Sequence, residues 1–250
     1  MKHVLKIAAI AMLVTLYCGC RSVVFSPEVD NILAKVKQTR DPQGKLPSMQ
    51  SVVIRGEFRS DTKGKPMKME LAFKKPEKLR VTVVIPGKEA FVKAYNGQNA
   101  WLYTTGKGVK ELKGQQLQGI KFQAALLRPG ADLSKVFDSI KLKGESVEVG
   151  QKCYKFVCTP KAEYNLKPIT FYVSKKSMLI VKREETQIIN GDHEVALTTI
   201  FNDYQPVDGI LVARNIVSYR EGNLMEFNVK SVEWNAGISD SSFDPPKPLK

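Results

Sequence analysis

Apolar residues recur at every second position through most of the chain between residues 51 and 234. The clearest segment is 67–74, where apolar residues hold the odd positions and charged residues most of the even ones. This alternation is typical of antiparallel strands that bury one face and leave the other in water. Turn signals such as Asn96-Gly97 and Asp208-Gly209 separate the strands. The pattern predicts one mainly β domain of about eleven antiparallel strands.

Two segments have helical rather than strand periodicity. The first starts at Ser26-Pro27-Glu28, which supplies an N-cap, a first-turn proline and an acidic residue, and it ends by Arg40. The second, 115–140, is predicted to form short helices broken at Arg128-Pro129-Gly130, with strands resuming at Val147. Because a large sheet with one apolar face needs a cover, these segments are the candidates for a lid.

The first residues of the chain combine positive charge with a short apolar run. Lys2 and Lys6 both precede a largely apolar stretch of eleven residues, 7–17. A membrane-spanning helix needs about 20 such residues, whereas about 7–15 suffice in a signal peptide. The stretch is therefore predicted to be an export signal.

This export signal ends at Gly19-Cys20, and with that ending it resembles a bacterial lipoprotein precursor. The resemblance implies a signal peptide over 1–19, a diacylglycerol anchor on Cys20 and a lipidated tether over 20–25. Arg21 after the anchor favours sorting to the outer membrane. An ordinary cleaved signal and an uncleaved anchor are the alternatives.

Several segments of the remaining chain resemble one known family. They are Tyr95–Trp101, Gly150–Phe156, Phe171–Val173, Leu179–Lys182, Asp203-Tyr204, Val207–Ile210, Val232–Asn235 and Ser239–Pro245. On these segments, residues 28–246 resemble the outer-membrane lipoprotein-sorting proteins, the LolA/LolB-like group. The resemblance implies an α+β fold, an incomplete antiparallel β-barrel with a helical lid. It also implies that acyl chains or lipoproteins bind between sheet and lid, without covalent chemistry.

One set of apolar residues is the candidate lining of that ligand cavity. On the strands it comprises Val52, Ile54, Phe58, Met67, Met69, Leu71, Phe73, Leu79, Val81 and Val83. On the underside of the lid it comprises Ile120, Phe122, Leu126 and Leu127. Flexible thioethers such as those of the two methionines adapt to varied chains. A plain packed core is the alternative.

Basic residues outnumber acidic ones, 39 against 25, which gives a net charge of +14. Many of them lie in the segments Lys63–Arg80 and Lys107–Lys113. A solvated strand face explains them, and attraction to anionic lipid headgroups is the alternative. Because they alternate with a buried face and no recognition motif is present, nucleic acid is not expected as a partner.

Residue types of catalytic and metal chemistry are scarce. The chain has only two histidines, His3 and His193, and no nucleophile elbow, phosphate loop or zincin spacing. Cys153 and Cys158 fall on opposite faces of a predicted strand, too far apart to form a disulfide. The sequence therefore predicts no metal, no cofactor and no enzyme, although a close carboxylate pair in a polar cleft would favour one.

Together these observations predict a folded domain over 26–246, with a disordered tail over 247–250. The functional hypothesis is a monomeric, membrane-tethered lipid- or lipoprotein-binding protein of the cell envelope, held by Cys20 and facing the periplasm. The rival hypothesis is a structural or sensory envelope module that docks a protein partner and holds no lipid.

Overall fold

The computed structural model describes residues 25–60, 65–85, 88–189 and 193–246. Several expectations fall outside the described residues: the signal peptide 1–19, Cys20 and most of the tether, Lys63, a further turn signal at Asn190-Gly191 and the tail 247–250. The described residues form one antiparallel sheet and two α-helices. Neither of these helices is long and apolar enough to span a membrane.

The sheet has thirteen strands in the described part of the chain, where the sequence predicts about eleven. The first six are β1 Ser51–Arg59, β2 Met67–Lys74, β3 Lys78–Ile85, β4 Lys88–Tyr95, β5 Ala100–Thr104 and β6 Gly108–Leu112. The other seven are β7 Phe137–Glu148, β8 Gln151–Pro160, β9 Ile169–Ser174, β10 Ile180–Ile189, β11 His193–Val207, β12 Ile210–Arg220 and β13 Asn223–Trp234. The helices are α1 Pro27–Arg40 and α2 Gly114–Leu127. Short 3₁₀ turns lie at Leu46–Ser48, Leu133–Lys135, Ala162–Tyr164 and Asp240–Phe243.

The strand order is two meanders joined at one place. It runs β6-β5-β4-β3-β2-β1-β13-β12-β11-β10-β9-β8-β7, so every strand pairs with a sequence neighbour except where β1 pairs with β13. The two strands that flank α2 in the sequence, β6 and β7, are the two edges of this sheet. The sheet is not closed, and α2 connects one edge to the other.

Helix α1 has the N-cap that the sequence predicts. The Ser26 hydroxyl accepts a hydrogen bond from the Val29 backbone amide at 3.4 Å, and Pro27 occupies the first turn. Val29 and Ile32 are buried, and Leu33 and Val36 pack beside them against β7–β9 and α2. The predicted helix and its apolar stripe are confirmed.

The prediction of helix through residue 140 is wrong. Helix α2 ends at Leu127, and strand β7 begins at Phe137 rather than near Val147. The pairing of β7 with β8 shifts register between Phe137 and Ser139, so Phe137 and Ile140 both face the core. This irregularity gives the segment a three-residue spacing of buried positions, which resembles helical periodicity.

The concave face of the sheet carries two packed clusters. One joins α1, α2 and strands β7–β9, and its largest fully buried residues are Phe137 and Phe156. The other joins α2 to β1–β6 and includes Phe73, Leu79 and Ile120. Helix α2 contributes to both clusters, so it holds the two ends of the curled sheet together.

The opposite face of the sheet is covered in part by the C-terminal segment 236–244. Phe243 is fully buried against Val53 and Ala72, and its carbonyl oxygen accepts a 2.8 Å hydrogen bond from the Trp101 indole. Lys74 and Lys78 both form ion pairs with Asp240 on this side of the sheet. Part of the basic strand face is therefore paired with the chain's own C-terminal segment.

Cys153 and Cys158 are buried and free, and they lie in different clusters. Cys153 packs with Tyr172 and Val181, whereas Cys158 belongs to the cluster that joins α1, α2 and β7–β9. Burial raises the pKa of Cys158 to about 12. The two side chains lie on opposite faces of β8, as the sequence predicts, and act as small apolar residues there.

A candidate ligand-binding hollow beneath helix α2

A hollow of about 280 Å³ lies between α2 and the concave face of the sheet. Its lining comprises Phe91, Lys93, Leu102, Leu112, Gln115, Gln116, Gly119, Phe122, Gln123, Leu166, Lys167, Ile169, Glu185, Thr186, Gln187 and Arg220. These residues come from both meanders, because β4–β6 form one wall and β9, β10 and β12 the other. The hollow therefore exists because the sheet curls and α2 crosses from one edge to the other.

Between its two apolar sides, helix α2 presents a stripe of polar and small residues to the hollow. Ile120 and Ala124 face the β1–β6 cluster, and Phe122 and Ala125 face the β7–β9 cluster. Gly119 lies between them, and a Cβ built on it would meet no atom within 4 Å. A glycine inside a helix costs about 1 kcal/mol relative to alanine. Here its missing side chain leaves open space in the hollow.

The residues predicted to line the cavity share the concave face but fall into several environments. Val52, Phe73, Leu79 and Ile120 are buried in the packed β1–β6 cluster, with Ile54, Leu71 and Val81 half-buried against it. Phe58, Met67 and Met69 are half-buried and pair across β1 and β2, and Val83 lies opposite Met69 on β3. For the cluster residues, the packed-core alternative describes the observed placement.

The residues predicted for the underside of the lid also lie in different environments. Phe122 lines the hollow, and it is the one member of the predicted set among the lining residues. Leu126 is half-buried against the cluster that joins α1, α2 and β7–β9. Leu127 is 46% exposed at the end of α2, so the structure does not place it on the underside of the lid.

The lining that the sequence analysis missed comes mainly from β4–β6 and β9–β10. Phe91, Leu102 and Ile169 lie in segments with strand-like alternation, but nothing in the sequence pattern marks them as ligand-facing. Their alternation marks which face they share, yet it does not show where α2 leaves space above that face. The position of the hollow depends on the long-range β1–β13 pairing, which local patterns do not reveal.

Some polar groups on the wall formed by β9, β10 and β12 already have hydrogen-bond or ion-pair partners. Glu185 accepts hydrogen bonds from Arg183 Nη2 at 3.4 Å and from Gln187 Nε2 at 2.9 Å. The Nε of Arg183 is buried without a partner, and so is Oε1 of Gln115 on α2. Lys167 is paired with Glu194 at 2.5 Å. The hollow is thus apolar along one part and rich in amide and cationic groups along another.

Lys93 on the β4 wall has a different electrostatic environment. Its cross-strand neighbours are Val81 on β3 and Leu102 on β5, both apolar. The half-buried side chain forms no hydrogen bond or ion pair with the described residues. Burial lowers the pKa of Lys93 below the ordinary lysine value, because the ammonium loses hydration without gaining a counter-charge.

A second cavity, of about 400 Å³, lies on the opposite face beneath the C-terminal segment. Its charged groups are already paired, since Arg55 contacts Glu70 at 2.8 Å and Glu233 at 3.1 Å. Its remaining lining includes Phe243 and backbone of the segment itself. This cavity is the space between the C-terminal segment and the sheet, and the hollow beneath α2 is the stronger ligand site. No cluster of three or more potential metal ligands occurs among the described residues.

The architecture is therefore a curled, open antiparallel sheet with a helix across its mouth. This is the LolA-like fold that the sequence resemblance implies. Three similar solved structures also have it. They are a DUF1329 family protein from Desulfovibrio piger, an outer membrane lipoprotein-sorting protein domain from Vibrio parahaemolyticus and a LolA superfamily protein from Nitrosomonas europaea. The resemblance noted in the sequence is confirmed at the level of the fold.

The similarity to these structures extends over most of each chain at low sequence identity. The Desulfovibrio protein has a TM-score of 0.57 and 16% identity, with 86% of this chain and 95% of that chain covered. The Vibrio domain has a TM-score of 0.57, 14% identity and coverages of 86% and 95%. The Nitrosomonas protein has a TM-score of 0.56, 14% identity and coverages of 86% and 96%. No protein-family model and no curated protein matches the sequence.

Proposed function

We propose that this chain is a non-enzymatic, lipid- or lipoprotein-binding protein of the bacterial cell envelope, acting as a monomer. It holds acyl chains in the hollow beneath α2. The observation that carries the proposal is the hollow itself, a concave space with an apolar wall of Phe91, Leu102, Leu112 and Phe122. Small-molecule sites are commonly concave and mostly apolar, with a few polar groups that fix orientation.

The fold supports this assignment. One of the similar structures is described as an outer membrane lipoprotein-sorting protein domain, and another as a LolA superfamily protein. We propose the same general role here, with the protein anchored in the outer membrane and facing the periplasm. The site offers an apolar binding surface, which is consistent with the binding of acyl chains.

The direct test is native mass spectrometry of the full chain, purified from bacterial membranes in a non-ionic detergent. We expect an adduct that remains after the detergent is released and that disappears after extraction with organic solvent. A chain that stays bare, even after incubation with palmitate and phospholipid, would refute the proposal. It would favour the rival hypothesis of a module that docks a protein partner.

Filling the hollow is expected to abolish this adduct. In Gly119→Leu the new side chain enters open space, because an added Cβ has no neighbour within 4 Å. Leucine also favours the helix over glycine by up to about 1 kcal/mol. We therefore expect a folded protein, with unchanged or slightly raised stability, that retains less than about a tenth of the bound lipid.

The matched control is Ala34→Leu, which adds a leucine side chain to the exposed face of α1. It is expected to leave the adduct unchanged. Both variants are compared by circular dichroism and by urea unfolding before the mass measurement. Full lipid occupancy in folded Gly119→Leu would place the ligand somewhere other than beneath α2.

The membrane anchor is a separate proposal that depends on Cys20. In cells fed with radiolabelled palmitate, we expect the full chain to incorporate label and to fractionate with outer membranes. Cys20→Ser removes the thiol that would carry the lipid and is expected to abolish labelling, whereas Cys18→Ser is expected to retain it. Equal labelling of both variants would show that Cys20 is not the lipidated residue.

A further inference from the structure

We infer that the hollow takes an amphiphile with an anionic headgroup, a carboxylate or a phosphate, which binds Lys93 beneath α2. The inference rests on the proposed function and specifies the class of ligand. The lipid tail lies along the apolar wall, and Arg220 on the opposite wall adds a second positive charge.

The first argument is the position of Lys93. A lysine without a partner is ordinarily placed where its ammonium reaches water, as Lys68 is on the exposed face of β2. Lys93 instead lies on the concave face, between Val81 and Leu102 and within the lining of the hollow. Placing an unpaired charge among apolar side chains is costly unless a counter-charge binds there.

The second argument is the balance of charge around the hollow. Glu185 is the acidic residue of the lining, and its Oε1 accepts hydrogen bonds from Arg183 and Gln187. Lys167 is neutralised by Glu194. Lys93 and Arg220 form no ion pair with any described residue. Within the described part of the chain, the lining therefore has more basic than acidic residues, and two of the basic ones lack a counter-ion, which matches an anionic ligand.

The third argument concerns the neutral polar groups and the available space. Four glutamine side chains line the hollow and can donate hydrogen bonds to carboxylate or phosphate oxygens: Gln115, Gln116, Gln123 and Gln187. A volume of about 280 Å³ lies at the lower end of the range for ligand pockets. The space is better suited to an amphiphile with one acyl chain than to a bulky lipid with several.

The test is a lipid titration of the full chain in non-ionic detergent, followed by native mass spectrometry. The probes are palmitate, the phosphate-containing lyso-phosphatidylglycerol, and hexadecanol, which has the palmitate chain length without charge. We expect both anionic probes to bind at least about tenfold more tightly than hexadecanol, because bonds to charged groups contribute more than neutral ones. The tighter of the two anionic probes identifies the headgroup.

The variant Lys93→Met keeps most of the length of the side chain and removes its charge. We expect it to lose about tenfold or more in affinity for the anionic probes and to leave hexadecanol binding unchanged. Lys93→Arg is expected to keep the preference for anionic probes. Lys107→Met, at an exposed turn outside the hollow, is the matched control and is expected to change neither affinity.

Three results would overturn the inference, and they differ in meaning. Equal binding of palmitate and hexadecanol to the unmodified chain would refute the anionic headgroup and leave the proposed function intact. A failure of all three probes to bind would refute both. An unchanged preference in folded Lys93→Met would show that another group selects the charge.

Discussion

Gly56→Ala is expected to lower the free energy of unfolding by about 3 kcal/mol, a large share of the 5–15 kcal/mol of a typical domain. Gly56 lies on β1 beside the register shift in the β1–β13 pairing. An added Cβ would lie 2.1 Å from the Asn228 carbonyl oxygen and 2.8 Å from Cε2 of Phe227. Because the closest atom belongs to the backbone, one strand must move away from the other.

The measurement is the midpoint of urea unfolding, followed by circular dichroism. Gly237→Ala is the matched control, since the same methyl group added there meets no atom within 4 Å. We expect the control to change stability by less than about 0.5 kcal/mol. Equal midpoints for the two variants would mean that β1 and β13 do not approach each other closely at Gly56.

Phe122→Ala is expected to cost about 3–5 kcal/mol, the usual range for removing a buried phenylalanine side chain. The Phe122 ring is 3% exposed. It packs edge-to-face against Phe137, with centroids 5.8 Å apart, and against Tyr164, with centroids 5.3 Å apart. Its loss leaves a void where α2 meets the β7–β9 half of the sheet, so we also expect faster proteolysis within α2.

Leu127→Ala provides the comparison for this second substitution. Leu127 lies on the same helix but is 46% exposed, so its truncation opens no buried void. We expect its urea midpoint to remain near that of the unmodified chain. If truncating Leu127 were as costly as truncating Phe122, α2 would be packed through a different face from the one described.

Most of the strands could be predicted well from the sequence because only one of their faces contacts the core. On β2, Met67, Met69, Leu71 and Phe73 alternate mostly with charged residues, and the structure pairs this strand antiparallel with β1 and β3. The prediction failed at Phe137–Ile140, where a register shift puts two residues three positions apart on the same side. A bulge interrupts the period of two, so the pattern there resembles a helix.

The candidate site was harder to predict than the fold. The cleanest alternation lies on β1–β3, yet α2 packs directly on part of that region and leaves open space beside β4 and β10. Lys93 shows the difficulty, because in a linear sequence a lysine between apolar neighbours resembles an ordinary solvent-facing position. In the structure both faces of β4 are covered, since Val92 and Ala94 pack against Trp101 on the other side. Whether a strand that carries a charged residue is covered on both faces depends on the tertiary structure.

The single pairing of β1 with β13 has a consequence for how the protein is made. Arg55 and Glu233 meet across this joint although they are 178 residues apart in the sequence. Each of the two meanders can form from neighbouring segments, but β1 has an unpaired edge until the final strand has been synthesised. The newly made chain therefore carries an open strand edge through most of its synthesis, and such edges readily pair with other chains. Protection of that edge by a chaperone would matter most before β13 emerges, and a truncation that removes β13 would leave the edge open permanently.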